Sequence, residues 1–118
     1  MDRLGNSTEV PVSDEEMQRL LGSAPKRFAF LLRPGPKFGS ETQALQWEHA
    51  RNMFALLRAG RLTSVTALMD GTEVLGVGVL EAASKAEVEA LLREDPAVRG
   101  GRLSFEILSA ASFLRGEV

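Results

Sequence analysis

Cysteine is absent from the 118 residues, and histidine occurs once, at His49. Without a thiol there is no disulfide framework and no thiolate nucleophile. A lone imidazole with no thiolate beside it is a poor ligand set, so no metal is expected. That cysteine usage fits a reducing compartment. An excess of one charge is lacking too: 14 Lys and Arg stand against 16 Asp and Glu, a net charge of -2. No basic surplus is available to recognise nucleic acid, and no run of like charges forms a tail. No apolar stretch approaches the roughly 20 residues of a membrane span. The opening Met-Asp-Arg-Leu-Gly-Asn-Ser lacks the apolar core of a secretory signal. Internal repeats and low-complexity tracts are missing as well. The expectation is a soluble cytoplasmic protein with no nucleic-acid or membrane partner.

What is present suits one packed domain: the hydrophobic share is 44%, typical of a globular core, and the length suffices for one domain. The order of signals gives an α+β class. Residues 1–12 are polar and without period, an irregular arm. Ser13 or Asp14 caps a short helix with Glu15 and Glu16 in its first turn, ended by Gly22 and Pro25. The run 27–33 is a first strand, stopped by Pro34-Gly35-Pro36. Ser40, with Gln43 at capping-box spacing, opens a long helix to Ala59, closed by Gly60. Residues 61–69 predict a second strand, Asp70-Gly71 a tight hairpin turn, and 72–81 a third strand. In that third strand Gly76 and Gly78 share a face, which implies close approach by another element. Ser84 with Glu87 caps a second helix that ends before Pro96, residues 97–101 form a loop, and 102–110 are a last strand.

The order β-α-β-β-α-β predicts a ferredoxin-like domain, a four-stranded antiparallel sheet with both helices on one face. The expected organisation is an arm and extra helix at 1–25, the ferredoxin-like domain at 26–113 and a tail at 114–118. The strands are apolar on both faces: Phe28, Phe30 and Leu32 alternate with Ala29 and Leu31. The face without helices therefore needs a cover, and a second copy of the chain is the economical one. Trp47 and Phe54 fall away from the inward face of the long helix. They ask for cover from the short helix or from a second subunit.

The candidate chemistry is His49 and Asp95. His49 lies between Leu45 and Met53 on the inward face of the long helix, with Asn52 and Leu56 on the same stripe. Imidazole suits proton transfer near neutral pH, although the same placement also suits a packed core histidine. Asp95 extends the buried stripe of Val88 and Leu92, where a carboxylate needs a partner. It can instead be solvated at a frayed helix end or cap the Ala97-Val98 turn. With both helices over one face, Asp95 can reach His49, fixing the tautomer on one ring nitrogen and leaving the other for a substrate. Gly35 to Gly39 lacks the ending of a phosphate loop, and Arg33, Arg61 and Arg99 are candidate anion contacts or solvated side chains.

Several stretches carry a resemblance. They are Glu48-His49-Ala50, Leu56-Leu57-Arg58-Ala59-Gly60-Arg61-Leu62, Leu80-Glu81-Ala82 with Ser84, and Glu94-Asp95-Pro96-Ala97-Val98-Arg99-Gly100-Gly101. Over residues 26–113 they resemble the YCII-related (YciI-like) family. The resemblance implies a ferredoxin-like fold assembled as a dimeric α+β barrel. It also implies an active-site pair of first-helix histidine and pre-proline aspartate, matching His49 and Asp95. A few members of that family eliminate chloride from intermediates of chlorinated aromatic degradation. The implied activity is acid–base chemistry without a cofactor, the elimination or isomerisation of a small organic acid or lactone. The partners expected are a small molecule and the chain itself, as a homodimer or higher oligomer. A non-catalytic ligand-binding or sensor domain, or a purely structural dimer, is the alternative. The chain departs from many relatives at Thr66-Ala67, where they carry Gly-Pro, in its short hairpin and in its helical preface.

Overall fold

Ser13 starts the first helix, α1 (Asp14–Gly22), in the computed structural model, which describes residues 10–71 and 73–118. Its hydroxyl accepts the Glu16 N–H, and the Glu16 carboxylate reaches back to the Ser13 N–H, a closed capping box. Of the expected arm, residues 1–9 lie outside the described residues. Two compact units are present: Lys26–Ser112, and the described part of Met1–Pro25 together with Phe113–Val118. In the latter, Arg115–Glu117 adds a 3-10 turn to α1.

The larger unit holds a four-stranded sheet of β1 (Lys26–Pro34), β2 (Ser64–Ala67), β3 (Gly76–Leu80) and β4 (Leu103–Ala111). The order across the sheet is β2-β3-β1-β4 with every neighbour antiparallel. Helix α2 (Ala44–Arg58) joins β1 to β2, and α3 (Lys85–Arg93) followed by α4 (Pro96–Arg99) joins β3 to β4. That order and connectivity are the ferredoxin-like arrangement. The helices bury Met53, Val88 and Leu92 against Phe30, Leu32, Leu80 and Leu103, which share one sheet face.

Four local readings change. First, α2 begins at Ala44, after a 3-10 turn at Ser40–Thr42, and no side-chain cap forms at Gln43. The Thr42 hydroxyl instead donates to the Lys37 and Gly39 carbonyls, which tightens this turn ahead of the helix. Second, β2 is shorter than 61–69. The N–H groups of Arg61 and Gly60 return to the Leu56 and Leu57 carbonyls around Gly60 at φ 75°, a Schellman exit that removes Arg61 and Leu62 from the strand. Third, Asp70-Gly71 is not a tight hairpin turn. Ala67 pairs with Gly76 and the Leu68 N–H reaches the Leu75 carbonyl, so residues 68–75 form the connection. The Leu75 N–H donates to the Leu32 carbonyl, so Leu75 is tied to β1 as well as to the β2 side. Thr72, expected to start the third strand, lies outside the described residues. Fourth, the expected loop at 97–101 begins with α4, because Pro96 occupies a first-turn position where its missing N–H costs nothing.

The paired glycines of β3 have a steric cause. Phe30 sits opposite Gly78 in the register, and a Cβ on Gly78 would overlap the Phe30 ring. Phe30 is completely buried, so it has nowhere to go. Gly78→Ala is expected to destabilise by about 1–3 kcal/mol through overpacking, read as a lower urea midpoint at unchanged slope.

On α2, Trp47 and Phe54 remain 71% and 63% exposed.

Candidate functional site

Asp95 is placed by the proline that follows it. The residue before proline is driven out of helical geometry, and Asp95 sits at φ -63°, ψ 131° as the N-cap of α4. Its Oδ2 accepts the N–H groups of Ala97 (3.0 Å) and Val98 (3.3 Å). Capping and pairing, set apart as alternatives in the sequence, occur together. His49 Nδ1 lies 3.0 Å from both carboxylate oxygens, and Asn52 Nδ2 donates to Oδ1 at 2.8 Å. His49 and Asn52 stand one turn apart on α2 and so approach the carboxylate together. Asn52 was on the inward stripe in the sequence, but only the packing of α4 against α2 gives it this partner. Its i+3 spacing from His49 was the available signal.

Asp95 is 1% exposed and His49 7%. Burial alone pushes the Asp95 carboxyl upward. Hydrogen bonds from His49 and Asn52, the charge His49 can carry and the Val98 N–H outweigh it, so the carboxyl lies below its ordinary 3.8. An ionised carboxylate only accepts, which places a proton on His49 Nδ1. In the neutral ring, Nε2 then keeps its lone pair. Nε2 has no hydrogen-bond partner among the described residues, yet it is not among the fully enclosed side-chain atoms. It therefore retains contact with solvent-accessible space, and His49 lines a cavity of ≈ 250 Å³.

This cavity lies between α2 and the β2–β3 side of the sheet. Its walls include Leu32, Met53, Val65, Leu75 and Leu103, with Gln46 one turn before His49. Gly76, Thr66 and Ala67 also line it. The volume exceeds the roughly 150 Å³ that encloses a benzene ring, so one substituted ring fits.

The arginines singled out in the sequence are elsewhere: Arg33 pairs with Glu106 at 3.0 Å, and Arg61 and Arg99 are exposed. The buried arginine near the site is Arg102, 6% exposed. It donates to the Gly39 carbonyl (2.8 Å), Thr42 Oγ1 (3.3 Å) and Gln46 Oε1 (3.2 Å), and its guanidinium covers the Phe38 ring at 4.5 Å. It thereby pins the turn that leads into α2. Nothing in the local sequence around Arg102 marks it for burial. Among the described residues no group of three His, Asp or Glu side chains is placed to hold a metal ion, and no helix is long and apolar enough to cross a membrane.

No family model matches the chain, and no match is found among curated proteins. Among solved structures it is similar to 5-chloro-2-hydroxyhydroquinone dehydrochlorinase from Burkholderia phenoliruptrix AC1100, solved in complex with 2,5-dihydroxybenzoquinone. The likeness has 16% identity and a TM-score of 0.49, covering 70% of this chain and 90% of that one. The chemistry of the site rests on this chain's own geometry.

Proposed function

We propose that the chain is an acid–base enzyme working without a cofactor, in which His49 Nε2 exchanges a proton with a small organic acid or lactone. Asp95 is the positioning residue. The observation that carries the reading is the oriented imidazole: Nδ1 is held by a buried carboxylate, Nε2 has no hydrogen-bond partner among the described residues, and His49 lines a cavity. In the forward step Nε2 takes a proton from a carbon next to a carbonyl, and the Asp95 carboxylate stabilises the imidazolium. In an isomerisation the same proton returns to a different carbon. In an elimination the leaving group departs with the bonding electron pair, and the imidazolium releases its proton to solvent. The resemblance to the YCII-related family favours elimination or isomerisation over other proton transfers.

Because the natural substrate is unidentified, the test follows the proton. Exchange of solvent deuterium into the α-carbon of γ-butyrolactone, followed by proton NMR, is expected with the wild type above the buffer rate. Saturable binding of the lactone with exchange at the buffer rate would instead establish a binding domain.

The same proposal includes a homodimer joined through the sheet face that carries no helices. Ala29, Leu31, Val77, Val79 and Leu108 share that face, with Leu108 still 41% exposed. The Arg33–Glu106 ion pair lies at its border. Contiguous apolar surface of this kind marks an association site. Leu31→Glu is expected to turn a sedimenting dimer into a folded monomer; a wild type that sediments as a monomer would remove the dimer from the proposal.

A further inference from the structure

Among the described residues, the cavity beside His49 has no ionised wall. Apart from the imidazole, its described polar side chains are Gln46 and Thr66, and no described lysine, arginine, aspartate or glutamate lines it. Arg102, the nearest buried cation on α2's flank, is taken up by the Gly39 carbonyl, Thr42, Gln46 and the Phe38 ring. An anionic ligand would therefore lose its hydration in an apolar pocket with no counter-charge, a costly transfer.

The bond from Arg102 to Gln46 also sets which end of the glutamine amide is available. A guanidinium only donates, so the atom it meets at 3.2 Å must be the amide oxygen. The Nε2 amide group of Gln46 has no partner among the described residues and lies on a side chain that lines the cavity. Gln46 and His49 are three residues apart on α2, with Cβ atoms about 5–6 Å from one another. One turn of helix thus places a glutamine whose amide oxygen is already engaged, and a base, among the residues lining the same space.

The geometry points to Gln46 as the group that binds the carbonyl oxygen of an uncharged cyclic ligand while His49 faces an adjacent carbon. This rests on the proposed proton-transfer reading and narrows it from organic acids to neutral lactones and ketones. When a proton leaves the α-carbon, negative charge develops on the carbonyl oxygen, where an oriented N–H is worth most.

His49 is the sole histidine, so its ring proton resonances give an unambiguous report from the cavity. Cyclohexanone, cyclohexanol and cyclohexanecarboxylate are titrated into the full chain, each spectrum referenced to the same variant without probe. Cyclohexanone is expected to shift the imidazole signal saturably, and cyclohexanecarboxylate to do so at least tenfold more weakly. Gln46→Glu keeps an acceptor for Arg102 and so retains the local fold, but it presents oxygen instead of N–H to the ligand. It is expected to weaken cyclohexanone about three- to tenfold, the worth of one hydrogen bond, while leaving cyclohexanol, which can donate, within twofold. Equal behaviour of the two probes on Gln46→Glu, or tighter binding of the carboxylate, overturns the role of Gln46 and leaves the His49 cavity standing. An imidazole signal unmoved by all three probes overturns the cavity reading as well.

Discussion

Replacing His49 with asparagine is expected to lower α-deuterium exchange into γ-butyrolactone by about 10²–10⁴-fold, the usual contribution of a positioned base. Asparagine is the informative substitution because its amide N–H falls near the position of Nδ1 and can still donate to Asp95. The buried carboxylate keeps a donor and the proton-accepting Nε2 alone is lost. Alanine would remove both and confuse folding with catalysis. An unchanged rate in the variant would mean that some other group, or solvent, moves the proton.

Asp95 separates the structural from the chemical role. Asp95→Ala deletes the N-cap of α4 and leaves the N–H groups of His49, Asn52, Ala97 and Val98 facing a void. The combined loss is expected at about 3–5 kcal/mol, from a missing cap and stranded buried donors. Urea unfolding measures it. Asp95→Asn retains an oxygen for the α4 N–H groups, and its stability cost is expected at about 1–2 kcal/mol. Turnover is another matter: with that oxygen committed to α4, the new amide N–H turns toward His49. Nδ1 would then accept, the ring proton would move to Nε2, and the base would be lost. Exchange should drop by about 10²-fold or more with the fold intact. Full exchange in Asp95→Asn would reduce Asp95 to a helix cap.

The same carboxylate leaves a mark on acid stability. Its folded-state value is depressed below 3.8, so the unfolded chain binds the proton first as pH falls. Its contribution is therefore complete above the unfolded value of about 3.9 and fades as pH drops through the lower folded value. Asp95→Asn should flatten the stability curve in that acid window and nowhere above it.

Local chemistry in the sequence determined much of this molecule. Gly60 ends α2 because the exit needs a positive φ, and Asp95-Pro96 breaks the helical stripe because proline excludes helical geometry before it. The alternation of Phe28, Phe30 and Leu32 and the capping pair Ser13–Glu16 also act through near neighbours. The Ser84–Glu87 signal was half right: Ser84 Oγ caps the Glu87 N–H, but the Glu87 carboxylate reaches the N–H of Ala83 instead of Ser84. Together these signals were enough for element order, and element order with short connections leaves few topologies besides the ferredoxin-like one.

Tertiary structure decided the rest, wherever the partner is distant in the chain. The start of α2 departs from the Ser40-Gln43 expectation because Thr42 and Arg102, 60 residues apart, shape the turn before it. The tight turn expected at Asp70-Gly71 gives way to a loop, since the last bond between the two strands joins Leu68 to Leu75, which also bonds to Leu32 across the sheet. His49 and Asp95 are 46 residues apart; each was conspicuous alone as a polar group on an apolar stripe. Their two equal 3.0 Å contacts, the added Asn52 bond and the amide orientation imposed on Gln46 exist only once α2, α4 and β4 are packed. A sequence displays which polar groups need partners, since burial without one is costly, but packing chooses the partners and thereby which nitrogen and which N–H remain for a ligand.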